Sequence, residues 1–289
     1  MSSKTAFMTM DVESFYDTEF LLHREIQRIP EYSQEDSIKD YIQLLEKYNI
    51  KGTFFTVATS LTIAGPYLKQ AASNGHEIAL HGLDHQSPCD MTLNQFKEKT
   101  ICGKKQIEDQ LQVKINGYRA PCFGINDERL KILKEEGFSY DSSHLDFSTV
   151  IKSGKIDLSE YHELSDSIYK KDSFFEFALS KTTFFGKTIP VSGGAYLRLI
   201  PWTVVKYLVK KYIKNHNNYI FYVHPFEISR KKNPVIKPLS FGEKIFLNKA
   251  RKQYLKKIEW IIKYLIKNGF EFQTMKDYQN MQTKNYSQN

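Results

Sequence analysis

A chain of 289 residues, 41% of them apolar, is long and apolar enough to bury a sizeable core as one large domain or two modest ones, which excludes a disordered or fibrous class. Its formal charge of +8 comes from 41 Lys and Arg against 33 Asp and Glu. No zinc-finger, basic-zipper or RNA-binding motif accompanies that charge, so nucleic acid is not expected as a partner.

The excess charge falls in stretches such as "KYLVKKYIKNH" and "KARKQYLKKIEWIIKYLIKN", which read as solvated helix faces or as surfaces attracted to anionic phosphate or lipid. Cys89, Cys102 and Cys122 form neither a CxxC pair nor an even disulfide framework, and a reducing cytoplasm fits them best. The opening "MSSKTAFMTMDVESF" meets an acidic residue before any apolar run of signal-peptide length, and no later window reaches about 18 uncharged apolar residues. A cytoplasmic location, extending to the inner face of the membrane, is therefore expected.

Over the first 145 or so residues, short apolar runs alternate with amphipathic stretches, the rhythm of βα units. "TAFMTMD" predicts a strand ending at Asp11, and "SIKDYIQLLEKYN" a helix with Ile38, Tyr41, Ile42, Leu45 and Tyr48 on one face. "GTFFTV" reads as a buried strand, "GPYLKQAASNG" as a helix with Pro near its start and Gly beyond its end, and "HEIALH" as a third strand. "LNQFKEKTICGKKQIEDQL" predicts a long helix, "INGYRAP" a strand, "DERLKILKEEG" a capped helix and "FSYDSS" another strand. From about residue 146 to 195 the alternation lapses into an irregular insertion of loops with a hairpin. The helical "PWTVVKYLVKKYIKNH" then leads to the strand "NYIFYVHP", and a C-terminal helical segment occupies about 240–289. The sum predicts one α/β domain over 1–289, a distorted (β/α) barrel of about seven parallel strands with inserted loops.

Polar residues with chemical capacity share one position, the C-terminal end of a predicted strand: Asp11 and Glu13, His81 and His85, Arg119, Asp141, and His224. In a barrel those ends converge on one rim, where catalytic groups are expected. A catalytic zinc needs three protein ligands and a position left for water, so a carboxylate has to join the two histidines. The zincin motif fails, because Gly82 stands where its Glu belongs. Asp11 and Glu13 are the nearest carboxylates on the proposed rim.

"MTMDVESF", "HGLDH", "GYRAP", "YDSS" and "FYVHP" occur in the order of the motifs of the polysaccharide deacetylase family, carbohydrate esterase family 4, which the chain resembles over roughly residues 5 to 225. The segment from "FEFALS" through "GKTIPVSGGAYLRLIPW" to "FYVHPFEI" is similar to the bacterial branch that serves exopolysaccharide, capsule or O-antigen assembly. The resemblance implies that Glu13, His81 and His85 hold a divalent metal, zinc or another transition ion, and that Asp11 is the general base. It makes Arg119 the residue that holds the base, places an oxyanion-binding backbone N–H near Cys122, and makes His224 the acid that protonates the leaving amine. Pro121, Cys122 and Phe123 fall beside the substrate, and Asp141 or Asp146 is expected to orient His224.

The motif "DVE" departs from the family's usual adjacent aspartates, so base and ligand could exchange between Asp11 and Glu13. His144 stands where the family's fourth motif often has a second Asp. The implied substrate is an N-acetylated amino sugar in a cell-surface glycan or its nucleotide-linked or lipid-linked precursor, with Tyr118, Phe123, Tyr140, Tyr196 and Trp202 as candidate stacking surfaces. "AYLRLIPWTVVKYLVKK" is both a candidate for peripheral membrane contact and a core-packing stripe. Two other readings keep the residues and change the outcome: a deformylase or small-amide hydrolase, and a catalytically idle glycan-binding protein.

Overall fold

The computed structural model describes residues 4–18, 21, 24, 35–145, 154–234, 236 and 238–286. Strand β1 (Lys4–Val12) is followed by α1 (Glu35–Lys47), β2 (Thr53–Thr56), α2 (Leu61–Ser73), β3 (Glu77–Leu80), α3 (Leu93–Leu111), β4 (Gly117–Tyr118), α4 (Asp127–Glu135) and β5 (Tyr140–Asp141). Next come β6 (His162–Ser165), β7 (Ile168–Lys171), β8 (Phe174–Phe177) and the hairpin β9 (Lys181–Phe184) and β10 (Lys187–Pro190). The chain ends with α5 (Gly194–Leu199), α6 (Trp202–Asn215), β11 (Asn218–Val223), the single turn α7 (Pro225–Ile228), α8 (Phe241–Asn248), α9 (Tyr254–Lys267), β12 (Phe270–Phe272) and α10 (Met275–Tyr286).

The main sheet runs β11-β1-β2-β3-β4-β5-β8-β7-β6, with β12 also pairing with β1. Pairing is parallel from β11 to β8 and antiparallel for β7 and β6, the distorted (β/α) barrel that the alternation predicts. Beyond β11 the sheet is extended by an isolated parallel bridge between Gly193 and Tyr222. Gly193 has φ of +136°, and a Cβ there would lie 1.9 Å from the Tyr222 carbonyl oxygen, so only glycine lets the two backbones meet.

Strand alternation sorts the side chains into two layers. Ala6, Met8 and Met10 of β1 pack outward against the helices, with Ile38, Tyr41 and Leu45 of α1. Phe7 of the same strand points inward with Phe55, Ala79, Tyr140, Phe177 and Ile220, filling the barrel. By the same period of two, Thr9, Asp11 and Glu13 continue the inward row upward. On β3 that row is Glu77, Ala79 and His81, and on β11 it is Ile220, Tyr222 and His224.

Two sequence expectations need correction. Helix α2 begins at Leu61, four residues before the expected Gly65, and takes Pro66 into its interior. The 146–195 stretch, expected to be irregular, is more regular: beyond residues 146–153, which lie outside the described residues, β6, β7 and β8 form an antiparallel extension, and apolar β8 docks parallel on β5. The apolar stripe "AYLRLIPWTVVKYLVKK" follows its core-packing reading. Leu197, Val205 and Leu208 are core, Trp202 packs on Trp260 at 5.2 Å, and Leu199 and Ile200 face the cleft described below. Among the described residues, no helix is long and apolar enough to cross a membrane.

Candidate active site

Above the apolar filling of the barrel, a buried guanidinium forms a floor. Arg119 leaves the end of β4 fully buried, its plane 4.0 Å over the Phe55 ring centroid. Its Nε donates to the Ser142 carbonyl at 3.0 Å and Nη2 to Ser142 Oγ at 2.8 Å. Nη1 donates to Thr9 Oγ1 at 2.8 Å and to Asp11 Oδ1 at 2.7 Å. Three strands thus fix the guanidinium, and it fixes one oxygen of Asp11. The other oxygen, Oδ2, lies 3.9 Å from His224 Nε2.

Beside Asp11, Glu13 meets both histidines. Glu13 Oε2 lies 2.5 Å from His85 Nε2 and 3.5 Å from His81 Nε2, and all three side chains are buried. Their candidate ligand atoms fall within 4.8 Å of one another. His81 Nδ1 lies 2.8 Å from the Arg119 carbonyl oxygen, which can only accept, so Nδ1 carries a hydrogen and Nε2 is the nitrogen that faces Glu13. Two imidazoles and a carboxylate, one ring fixed by a backbone carbonyl behind it, fit a divalent transition metal.

Local backbone geometry builds this cluster. Gly82 has φ of +82°, and a Cβ there would come within 3.0 Å of Pro121 Cγ, so the glycine allows the His81 loop to close on the 119–123 loop. His85 itself is left-handed, with φ of +59°, a strained state that places its ring against Glu13. Burial opposes ionisation of Glu13, yet the charges of His85 and His224 and hydrogen bonds from His81 and His85 hold its carboxyl below the usual range. Burial favours neutral His85 and His224, but the neighbouring carboxylates prevail: His85 is raised by Glu13, and His224 is pushed up to about 9 by Glu13, Glu227 and Asp11.

His224 Nδ1 lies 3.0 Å from Glu227 Oε2, and Glu227 Oε1 accepts from Arg198 Nε at 3.1 Å. Sequence reasoning missed both residues and looked instead to Asp141 and Asp146. Asp146 lies outside the described residues. Asp141 is paired in register with Tyr118, an outward residue of β4, and so sits on the opposite face of the sheet from Arg119. Its carboxylate accepts from Ser143 N at 2.9 Å and Ser143 Oγ at 2.8 Å, and Ser143 Oγ in turn accepts from Ala120 N at 2.8 Å. Glu176, in register with Asp141 across β8, completes this second cluster by accepting from the Ser143 and His144 amides. Burial raises both carboxyls, and the charge of Asp141 raises Glu176 further. The signal for Glu176 was visible as one acidic residue inside the apolar run "SFFEFALS".

A cleft of about 460 Å³ opens over Asp11, Glu13, His81, His85 and His224. Its walls are largely apolar, with Cys122 and Phe123 on one side and Tyr196, Leu199, Ile200 and Phe246 among the others. Pro121 is buried beneath Gly82, whereas Cys122 and Phe123, both at positive φ, project toward the opening. Of the aromatic residues marked for stacking, Phe123 and Tyr196 line the cleft, Tyr118 and Tyr140 are core, and Trp202 lies against Trp260.

Residues 27–140 match the family described as polysaccharide deacetylase, and residues 152–280 match a domain of unknown function (DUF3473). Over 119 residues, 40% of this chain and 41% of the relative, the sequence is 29% identical to a peptidoglycan deacetylase of Helicobacter pylori. Over 98 residues, 34% of this chain and 45% of the relative, it is 31% identical to a peptidoglycan-N-acetylglucosamine deacetylase of Bacillus cereus. The matches thus span less than half the length of these curated relatives. Among solved structures, a candidate polysaccharide deacetylase from Mycobacterium smegmatis superposes with a TM-score of 0.62 at 17% identity, covering 97% of this chain and 91% of that one. A carbohydrate esterase family 4 pseudoenzyme from Bacillus anthracis superposes with a TM-score of 0.56 at 11% identity, covering 96% and 66%. The chain is thus similar to the polysaccharide deacetylase family over residues 27–140 and shares the fold of a solved candidate member along nearly its whole length.

Proposed function

We propose that the protein is a metal-dependent hydrolase that removes the N-acetyl group from an amino sugar of a cell-surface glycan or its precursor. The observation that carries this reading is the meeting, under one cleft, of a buried Glu13–His81–His85 cluster with an Arg-held carboxylate and a histidine. Names of the relatives, which are deacetylases of peptidoglycan and chitin, support the choice of reaction. A divalent ion held by Glu13, His81 and His85, zinc foremost, would supply an acidified water and draw charge from the acyl carbonyl.

Around that centre the chain's own groups divide the proton work. Asp11, tied through Oδ1 to Arg119, keeps Oδ2 on the cleft side to take the proton of the attacking water. His224 Nε2, on the same side, gives a proton to the amine nitrogen as the C–N bond breaks. The products are acetate and a free amino sugar. Cys122, left-handed and lining the cleft, is the residue whose backbone N–H would serve as the oxyanion donor. Apolar walls with Phe123 and Tyr196 suit the faces of a pyranose ring and the acetyl methyl. Exposed free thiols at Cys89 and Cys102 favour a reducing compartment, hence a nucleotide-linked or lipid-linked precursor in the cytoplasm.

The test is acetate release by zinc-loaded protein from nucleotide-linked, lipid-linked and oligomeric N-acetylglucosamine, with metal content measured in parallel. About one ion per chain and acetate release, both lost in a His81→Ala, His85→Ala double variant, are expected. Formate from formylated donors without acetate from any donor would replace the acyl group. No product from the fully loaded protein would leave glycan binding as its role.

A further inference from the structure

The acid in this scheme needs a partner that fixes its ring. Sequence spacing directs attention to the "YDSS" segment, but Asp141 there is turned to Ser143 and the outer face of the sheet. The geometry points to Glu227, held by Arg198, as the positioning residue that keeps His224 with its proton on Nδ1 and its Nε2 directed into the cleft. This inference rests on the role proposed for His224.

The chemistry of the donors and acceptors carries it. Glu227 is wholly buried three residues after His224, across the turn α7 that Pro225 opens. Its Oε2 faces both the backbone N–H of His224, at 3.2 Å, and the ring Nδ1, at 3.0 Å. A carboxylate accepts, so Nδ1 carries a hydrogen whether the ring is neutral or charged. Nε2 is then the nitrogen turned to the cleft, and it is the one that lies 3.9 Å from Asp11 Oδ2 and 4.0 Å from Glu13 Oε1. Arg198 supports Glu227 from behind. Its side chain is fully buried, donates through Nε to Glu227 Oε1, and through Nη1 and Nη2 to the carbonyls of Lys249, at 2.6 Å, and Phe246.

Arg198 and Glu227 belong to the stretch 152–280 that matches the domain of unknown function, and neither lies within the 27–140 match. The carbonyls that hold Arg198 come from the end of α8 and the residue after it, and Phe246 of that helix also lines the cleft. The C-terminal half therefore supplies the acid, its orienting carboxylate and that carboxylate's counter-ion together.

Two readouts separate positioning from mere packing. In 15N-histidine-labelled protein, with the His224 signal assigned from a His224→Gln variant, the wild type should show a protonated Nδ1 hydrogen-bonded to a carboxylate. Glu227→Gln should lose that signature. On N-acetylated chitotetraose, kcat should fall about 10- to 100-fold with KM within twofold and metal content unchanged. Glu227→Asp keeps the charge opposite Arg198 and so keeps the fold, but withdraws the carboxylate by one methylene. It should show the same direction of change with near wild-type melting. An unaltered His224 signature in either folded variant, or full kcat, would overturn the assignment. If wild-type protein released no acetate at all, the proposed function would fail, and the histidine spectrum alone would still decide for or against Glu227 as the partner of Nδ1.

Discussion

The two ends of one barrel interior hold buried carboxylates of opposite character. At the upper end Glu13 faces two imidazoles and Asp11 faces a guanidinium, and both border a cleft. At the lower end of β3, four residues and about 13 Å before His81, Glu77 faces no cation side chain at hydrogen-bond distance among the described residues. It accepts from Tyr140 OH at 2.8 Å, Thr53 Oγ1 at 2.8 Å and the Lys276 amide at 3.1 Å. Ionic partners hold Glu13 below the usual carboxylate range, whereas burial outweighs the neutral donors and pushes Glu77 up to about 7. Burial alone therefore does not mark the reactive end. What marks it is charge left facing a cavity, whereas Glu77 is used to close the barrel by capping α10.

The sharpest way to break this comparison is at Asp11. Asp11→Asn keeps the shape but removes the proposed base, and under the proposed function turnover is expected to fall about 10²- to 10⁴-fold with bound metal retained. The same change leaves the buried Arg119 without its counter-charge and should cost about 3 kcal/mol in denaturant unfolding. Full activity in a folded Asp11→Asn protein would remove it from the base role and turn attention to Glu13. A smaller effect is expected from Arg119→Lys, because one ammonium cannot reproduce the fork that reaches Thr9, Asp11 and both acceptors of Ser142. With Asp11 still charged but less firmly held, kcat should fall about 10- to 100-fold while metal content stays constant. Equal kcat in Arg and Lys proteins would show that charge alone suffices.

The upper end was more legible in the sequence than the lower. Asp11, Glu13, His81, His85, Arg119 and His224 each lie at or just beyond the C-terminal end of a strand, and parallel strands bring those ends to one rim, so order along the chain was enough to gather them. Helices whose apolar residues recur on one face, such as α1 and α3, were readable for the same reason. Pairings made across the fold were not readable. Arg198 reaches Glu227 from 29 residues away, and Glu176 meets Asp141 only because β8 docks beside β5. Glu227 did leave a local trace, since "HPFE" sets Pro at the first position of a helical turn and a carboxylate at the third. Helix α10 was expected only as part of a helical segment, and its docking on the barrel floor left almost no trace. Its polar sequence is held at the barrel floor by Met275 and Tyr278, which pack inward, and by Thr53 and Glu77, which accept its first amides.

The lower end gives the mildest prediction for activity and the most specific one for stability. Glu77→Gln should leave turnover within about twofold, because Glu77 lies outside the cleft and touches none of its residues through hydrogen bonds. An amide can accept from Thr53 and Lys276 and donate to the Tyr140 oxygen, much as a protonated carboxyl does. In the wild type the folded carboxyl keeps its proton up to about 7, while the unfolded one releases it near 4.5. The stability that Glu77 contributes is thus fully present below about pH 4.5 and is lost as pH rises through about 7, a change on the order of 3 kcal/mol. Gln has no proton to lose, so unfolding curves of the two proteins should diverge over that window, the variant gaining on the wild type as pH rises. Parallel curves would mean that the three donors and the amino end of α10 keep Glu77 ionised throughout. The two ends of the barrel would then differ in the identity of their partners but no longer in the charge of their carboxylates.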